Sequence, residues 1–319
     1  MLDSAVSMVV DDLREVEIQL KGLLSSSVAI IPQVGGHLTF AGGKRLRPML
    51  ALLCARAAGY RADHRITIAA VGELLHTATL LHDDVIDRGE FRRGRPAARL
   101  PYGNGMSVLT GDFCLARGLQ AVAETGQLVA VKTLADTVTS MAEGEIAQLH
   151  SAGDCSLDRK RYQMIIRRKT AALLAWCSSL AGLLGAERSA ALYAYGLELG
   201  CAFQIADDVL DYRADHRLGK ARGQDLREGK ATLPLILACE RDRALQRAHE
   251  ALLGAGPPVD EAALRQINLA VSNSGALEDA RKCASSHASR AATHLHLLPT
   301  SPARDALAML ADYVVDRRS

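Results

Sequence analysis

Apolar residues recur with a period near 3.6 along almost the whole chain. The runs predict helices over 5–24, 65–88, 105–124, 127–150, 157–185, 187–214, 231–252, 260–273, 275–297 and 302–316. Pro48, followed by MLALLCARAA and then Gly59, predicts one more, with proline in the first turn and glycine just past the end. Short joints containing Gly, Pro or Asp separate the runs: RGEFRRGRPAARLPYGNG, SAGDCSLDR, GAER and GAGPPVDE. No stretch alternates with period two over a useful length, and no two-residue hairpin signal lies between apolar runs. The pattern predicts an all-α fold, a large bundle of about ten to thirteen helices, with no linker that would divide residues 1–319 into separate domains.

Composition sharpens this picture. Of 319 residues, 49% are hydrophobic but only 4% aromatic, so Ala and Leu carry the apolar content and favour helix over strand. The 38 basic and 36 acidic residues nearly cancel, which removes any global field for nucleic acid. Anions must therefore be held by local clusters. Seven cysteines, at 54, 114, 155, 177, 201, 239 and 283, stand singly without a C-x-x-C pair and read as reduced thiols of a cytoplasmic protein. The N-terminus lacks the basic flank of a signal peptide, and neither long uncharged run, 22–43 or 170–186, reads as a membrane span.

Two aspartate clusters break the apolar pattern. LLHDDVID (80–87) and QIADDVLD (204–211) share D-D-V-[I/L]-D and lie 124 residues apart. Helical spacing puts His76, Asp83 and Asp87 within about 40° of one line on an otherwise apolar helix, with Asp84 beside them. Gln204, Asp207, Asp208 and Asp211 repeat the arrangement. A lone Asp pair reads as a solvated helix end. Two copies on apolar helices, each followed by basic residues, call instead for cations to offset the desolvation. No His or Cys ligand cluster accompanies them, so the ion should be hard and oxygen-loving. Magnesium fits, because it uses one or two carboxylates and completes its octahedron with water and phosphates.

Basic residues supply the other half of a diphosphate site. Lys44 and Arg47 lie in GGKRLRP at the head of a helix, where backbone N–H groups also favour anions. Arg92 and Arg93 follow the first Asp cluster, Lys169–Thr170 lies within an apolar helix, and Lys220 and Lys230 flank the second cluster. Each alone reads as surface charge; together with two magnesium-type clusters they point to phosphate recognition.

These motifs in this order resemble the trans-isoprenyl diphosphate synthases, the polyprenyl synthetase family. The resemblance rests on GGKRLRP, DDVID with RRGRP, GDF (111–113), EGEIAQL (143–149), RRKTA (167–171), DDVLD and LGK…DLREGKATLPL, and spans residue 35 to the C-terminus. It implies helices around a central cavity and a homodimer. It also implies that Lys44, Arg47, His76 and Arg93 hold isopentenyl diphosphate, and that Arg92, Lys169, Thr170, Gln204, Lys220 and Lys230 hold an allylic diphosphate. Asp83, Asp87 and Asp207 would be the main ligands of about two to three magnesium ions, assisted by Asp84, Asp208 and Asp211. Arg317 and Arg318 resemble a basic tail over the diphosphates. The sequence departs from the pattern at Gln224, where a second acid is frequent, and at Trp176 on an otherwise aliphatic helix.

The family places a Phe or Tyr four or five residues before the first aspartate in enzymes that stop at fifteen or twenty carbons. Here those positions are Thr79 and Ala78, both small. Leu75, Val71 or Met141 would then set the limit, and the resemblance implies a product of thirty carbons or more, with geranylgeranyl or farnesyl diphosphate synthase as the alternative. A terpene cyclase conflicts with the intact second cluster and the second diphosphate site at Lys44 and Arg47. A non-catalytic subunit conflicts with two intact Asp motifs, and incubation with the two diphosphates separates either from a magnesium-dependent hydrolase.

Overall fold

The computed structural model describes residues 2–154, 156–213, 223–256 and 259–316. Its contacts group into two compact units. The first comprises Met1–Thr137, Leu173–Gly196 and His294–Met309. It contains α1 (Leu2–Met8), α2 (Val10–Leu23), α3 (Ile30–Thr39), α4 (Leu46–Ala57), α5 (His64–Ile86), α6 (Arg99–Tyr102), α7 (Asn104–Glu124) and the first part of α8 (Leu128–Ser151). At its centre is α5, packed against α2, α4 and α7. Ile68, Ala69, Val71, Leu74, Leu75, Ala78 and Leu81 are all buried, so this helix meets protein nearly all the way round. Two glycines permit the close approach. A Cβ at Gly72 would stand 2.4 Å from Cys177 Sγ, and Gly118 of α7 lies against Val71 and Leu75.

The second unit comprises Val138–Ala172, Leu197–Thr293 and Leu310–Ser319. In it lie the end of α8, α9 (Arg159–Ile166), a π-helical turn at Arg167–Ala171 that leads into α10 (Ala172–Ser178), and most of α11 (Ala186–Arg213). The short α12 (Gln224–Arg227), α13 (Leu233–Cys239), α14 (Arg243–Ala255), α15 (Glu261–Asn273) and α16 (Ala276–Thr293) complete it, with the end of α17 (Pro302–Asp316). Every residue of α13 is buried, and it packs on α14, α15 and α16. Among the described residues no helix is long and apolar enough to cross a membrane.

Periodicity placed most helices but merged some. Val9 at φ −128° divides the expected 5–24 helix into α1 and α2. Asp242 interrupts 231–252, because its carboxylate accepts from the backbone N–H of Ala244 (2.8 Å) and so caps α14. The run 22–43, read only as uncharged, contains α3. Pro32 sits in its first turn, where a missing N–H costs nothing, and Gly35 meets Leu24. The stretch read as a loop after Asp87 forms a hairpin, β1 (Phe91–Arg92) antiparallel to β2 (Arg95–Pro96). Arg93 and Gly94 both take positive φ, 52° and 74°, the geometry of a tight two-residue turn.

One ion cluster braces the second unit. Glu198 of α11 accepts from Arg290 Nε at 2.9 Å, meets His287 Nδ1 at 2.7 Å, and faces Arg167 of the π turn at 3.7 Å. Burial alone would raise its pKa, but His287 and Arg290 hold it down at about 2. A depressed carboxylate contributes stability above its unfolded pKa near 4.3 and loses it as pH falls toward the folded value. Glu198→Gln is therefore expected to cost about 2 kcal/mol at pH 7, with wild type and variant converging below pH ~3. Urea denaturation across that range checks it, and a cost that persists undiminished at pH ~3 contradicts it.

Candidate active site

The first set of functional side chains is organised by α5 and the two segments beside it. Gly42 and Gly43 at φ 92° and 153° lead to Arg45, itself left-handed at φ 46°, from which α4 starts. Arg45 is fixed there by Glu17 of α2 and by the buried Glu73 of α5, at 2.5 and 2.9 Å. This turn leaves Lys44 exposed and puts Arg47 in the first turn of α4, half-buried against Gly72. The hairpin brings up Arg93, whose guanidinium donates to the carbonyls of Gly42 (2.7 Å) and Leu38 (3.2 Å). It also brings Arg92, whose Nε donates to Asp84 Oδ1 at 2.9 Å.

His76 lies within the field of these cations. Burial holds its pKa well below the usual imidazole value, and Arg47, Arg93, Arg92 and Arg45 push it further the same way. The ring is neutral at pH 7, and keeps one N–H to offer an anion. Farther along the helix, Asp83 and Asp87 are half-buried and Asp84 fully buried. Asp87 ends α5, its N–H donating to Asp83 O at 2.8 Å. Asp84 Oδ2 is buried with no hydrogen-bond partner among the described residues. Between His76 and Asp83, Ala78 is fully buried and Thr79 turns its hydroxyl back to His76 O at 2.9 Å. Leu75 is buried against α7 at Gly118.

The second set lies in the other unit. The π turn at Arg167–Ala171 presents Lys169 and Thr170 together. It can do so because residue 144 of α8 is glycine: a Cβ there would stand 2.5 Å from the backbone nitrogen of Lys169. The flanking glutamates of the same helix hold the turn, Glu143 by Arg168 at 3.0 Å and Glu145 by Lys169 Nζ. Lys169 also donates to Gln148 at 2.7 Å. Thr170 Oγ1 donates to Gln204 Oε1 (2.8 Å), and Gln204 Nε2 donates to Asp208 Oδ1 (2.8 Å). Asp208 Oδ2 accepts from Tyr162 OH at 2.5 Å. Burial, resisted by these two donors, pushes Asp208 up to about 7, and Asp207 and Asp211 act in the same direction.

Asp207 is half-buried. Asp211 accepts from the backbone N–H groups of Gln224 and Asp225 at 3.2 and 3.3 Å, and so caps α12. Lys230 pairs with Glu228. Lys169, Thr170, Gln204, Asp208, Asp225 and Lys230 line one cleft with about 120 Å³ of free volume. Lys220, Arg317 and Arg318 lie outside the described residues.

The donor set suits a hard cation. Asp83 with Asp87 and Asp207 with Asp211 are carboxylate pairs one turn apart, and Asp84 keeps a buried oxygen without a donor. Among the described residues no three His, Cys, Asp or Glu side chains form a closed cage. Magnesium asks for none, since water and phosphate complete its shell. Sequence reasoning missed Glu73, Glu145, Tyr162 and Asp225. EGEIAQL was visible as a motif, but only the folded chain shows that Gly144 and Glu145 serve Lys169. Burial, with Asp208 and Asp211 nearby, raises the Asp225 carboxyl well above its usual value.

The comparisons agree in one direction. The family model described as Polyprenyl synthetase matches residues 28–268. The octaprenyl diphosphate synthase of Escherichia coli strain K12 is 39% identical over 325 aligned positions, covering 99% of each chain. The crystal structure of a polyprenyl synthase from Caulobacter crescentus CB15, complexed with calcium and isoprenyl diphosphate, matches with TM-score 0.95 and 41% identity, over 100% of this chain and 98% of that one. A decaprenyl diphosphate synthase from Rhodobacter capsulatus matches with TM-score 0.92 and 39% identity, over 99% and 98%. With the motifs, the helical fold and these likenesses all in accord, the chain belongs to the polyprenyl synthetase family, prenyltransferases of the isoprenoid synthase fold.

Proposed function

We propose that the protein condenses isopentenyl diphosphate with an allylic diphosphate, using magnesium, and extends it to an all-trans chain of thirty carbons or more. The observation that carries this reading is α5. One helix bears an arginine-ringed neutral His76, the Asp83–Asp87 pair, and only the small Ala78 and Thr79 between them. The names of the octaprenyl and decaprenyl relatives support the chain length, and the calcium in the Caulobacter neighbour's crystal supports a divalent cation. The family match spans residues of both units, which supports one catalytic domain.

Lys44, Arg47, His76 and Arg93 bind isopentenyl diphosphate in this reading, with Glu73 holding Arg45 so that the head of α4 keeps its direction. Arg92, Lys169, Thr170, Gln204 and Lys230, joined by Lys220, serve the allylic substrate. Asp83, Asp87 and Asp207 are the principal ligands of about two to three magnesium ions, and Asp84, Asp208 and Asp211 support them. Bound magnesium supplies charge that stabilises the departing diphosphate. The cationic side chains reinforce that as the allylic C–O bond breaks. The isopentenyl double bond then forms the new C–C bond, and its proton leaves to the released diphosphate, so the protein need contribute no nucleophile.

We also assign the protein to the cytoplasm, where its buried thiols at Cys54, Cys114, Cys177, Cys201 and Cys239 stay reduced. We assign it a homodimer through α7, which exposes Met106, Val108, Leu109 and Leu119. Sedimentation at micromolar concentration should give twice the chain mass, and Leu109→Glu should halve it; an unchanged wild-type monomer contradicts this.

Incubation with isopentenyl diphosphate, farnesyl diphosphate and magnesium tests the activity. Elongated prenyl diphosphate is expected, whereas phosphate release alone indicates a hydrolase and no product indicates a subunit that needs a catalytic partner. Asp83→Ala and Asp207→Ala should each lower turnover at least ~100-fold with helix content intact. Near-normal activity in either removes that ligand from the assignment.

Product length tests the space along α5. Ala78 lies ~7.5 Å down the axis from Asp83 at 1.5 Å per residue. Replacing it with Leu and then Phe should shorten the product in step with side-chain volume. Because Ala78 is fully buried, part of the added bulk will cost packing, about 1–3 kcal/mol, so melting temperature is read alongside. A folded, active Ala78→Phe variant with an unchanged product distribution refutes the tunnel.

A further inference from the structure

We propose that Tyr162 is a positioning residue for prenyl transfer: through Asp208 and Gln204 it fixes which way Thr170 presents its hydroxyl to the cleft. This rests on the prenyl-transfer reading and adds to it a residue and a direction.

The direction follows from what each group is able to donate. An ionised carboxylate only accepts. Asp208 is fully enclosed and spends one oxygen on Tyr162 OH (2.5 Å) and the other on Gln204 Nε2 (2.8 Å). With its amide NH2 directed to Asp208, Gln204 must turn its oxygen the other way, where it meets Thr170 Oγ1 at 2.8 Å. An amide oxygen cannot donate, so the Thr170 hydrogen is committed to it. What Thr170 has left for the cleft is lone pairs.

A diphosphate oxygen needs donors, and a hydroxyl whose hydrogen is committed has none to give. Lone pairs instead favour positive charge. Of the residues expected to grip the allylic diphosphate, Lys169 donates from its ammonium, whereas Thr170 faces the other partner of the ionising bond, the carbon that becomes positive. Both line the same cleft, with Tyr162, Gln204 and Asp208. Removing the Tyr162 hydroxyl would leave a buried carboxylate oxygen without a donor. Asp208 would then turn toward other donors, and Gln204 would be released to flip.

The test compares wild type, Tyr162→Phe and Asp208→Asn with two unreactive ligands. One is an allylic thiodiphosphate, neutral along its chain; the other is a diphosphate whose chain carries an ammonium where the cation forms. Tyr162→Phe should lower kcat and weaken the ammonium ligand by about tenfold or more. The thiodiphosphate affinity and the KM for isopentenyl diphosphate should stay within about twofold. Asp208→Asn can donate as well as accept, so it permits the flipped Gln204 and should erase the preference for the ammonium ligand. Equal loss of both ligands, or of neither, in a variant that melts at the wild-type temperature overturns the relay. Should Tyr162→Phe fail to fold, Thr170→Ser must keep the preference and Thr170→Val must lose it; any other pattern overturns the proposal. Wild-type inactivity on the two diphosphates would count against the prenyl-transfer reading and not the relay, which the ligand ratio reads without turnover.

Discussion

Glu73 sits in α5 among residues that leave it almost no water, and its carboxylate accepts from Arg45 Nη1 at 2.9 Å. A buried charge without such a partner would cost several kcal/mol, and that requirement shapes everything around it. Arg45 must adopt φ 46° to reach Glu73 and Glu17 together, and this left-handed residue decides where α4 begins. Lys44 and Arg47 flank that turn, so a pair hidden in the core aims the exposed cations. Asp84 follows the same logic in the opposite sense. Being fully buried, it needs Arg92, and meeting that need pins the hairpin that carries Arg93.

Close backbone approach is the second constraint, and glycine meets it where charge cannot. Gly72 and Gly118 let Cys177 and α7 onto α5 so that its middle turns are dry on all sides. Gly144 does the corresponding service in the second unit. The π turn widens the helix by one residue at Lys169–Thr170, and only a missing Cβ on α8 leaves room for it. A regular helix across 157–185 would have pointed these side chains a full residue step apart from where they lie.

That contrast shows what could be read along the chain and what could not. Long amphipathic runs such as α5, α7, α15 and α17 were visible because burial of one stripe repeats every turn. Asp83, Asp87 and Asp207 were visible because carboxylates on apolar helices need an external reason to be there. The breaks at Val9 and Asp242 were not, since each depends on one local cap or dihedral inside an apolar run. Neither was α3, whose Pro32 and glycines read as breakers until their places in the first turn and against Leu24 are known. Tyr162 gave no signal at all. Its partner is 46 residues away, and nothing in an isolated tyrosine says that its hydroxyl will end on a buried aspartate.

Asp208 illustrates why a shared motif does not fix a shared role. Asp84 and Asp208 occupy the same place in D-D-x-x-D, and both are buried by it. Asp84 meets a guanidinium and retains one oxygen without a donor, so it remains able to take part of a metal's coordination or a bridging water. Asp208 meets a phenol and an amide that together satisfy both oxygens. Any ion that claimed one of them would have to displace a buried hydrogen bond, and would free Gln204 as it did so. The helix spacing thus assigns both aspartates to the inner face, while the neighbours that each finds there decide whether its lone pairs are offered to an ion or spent on holding another side chain still.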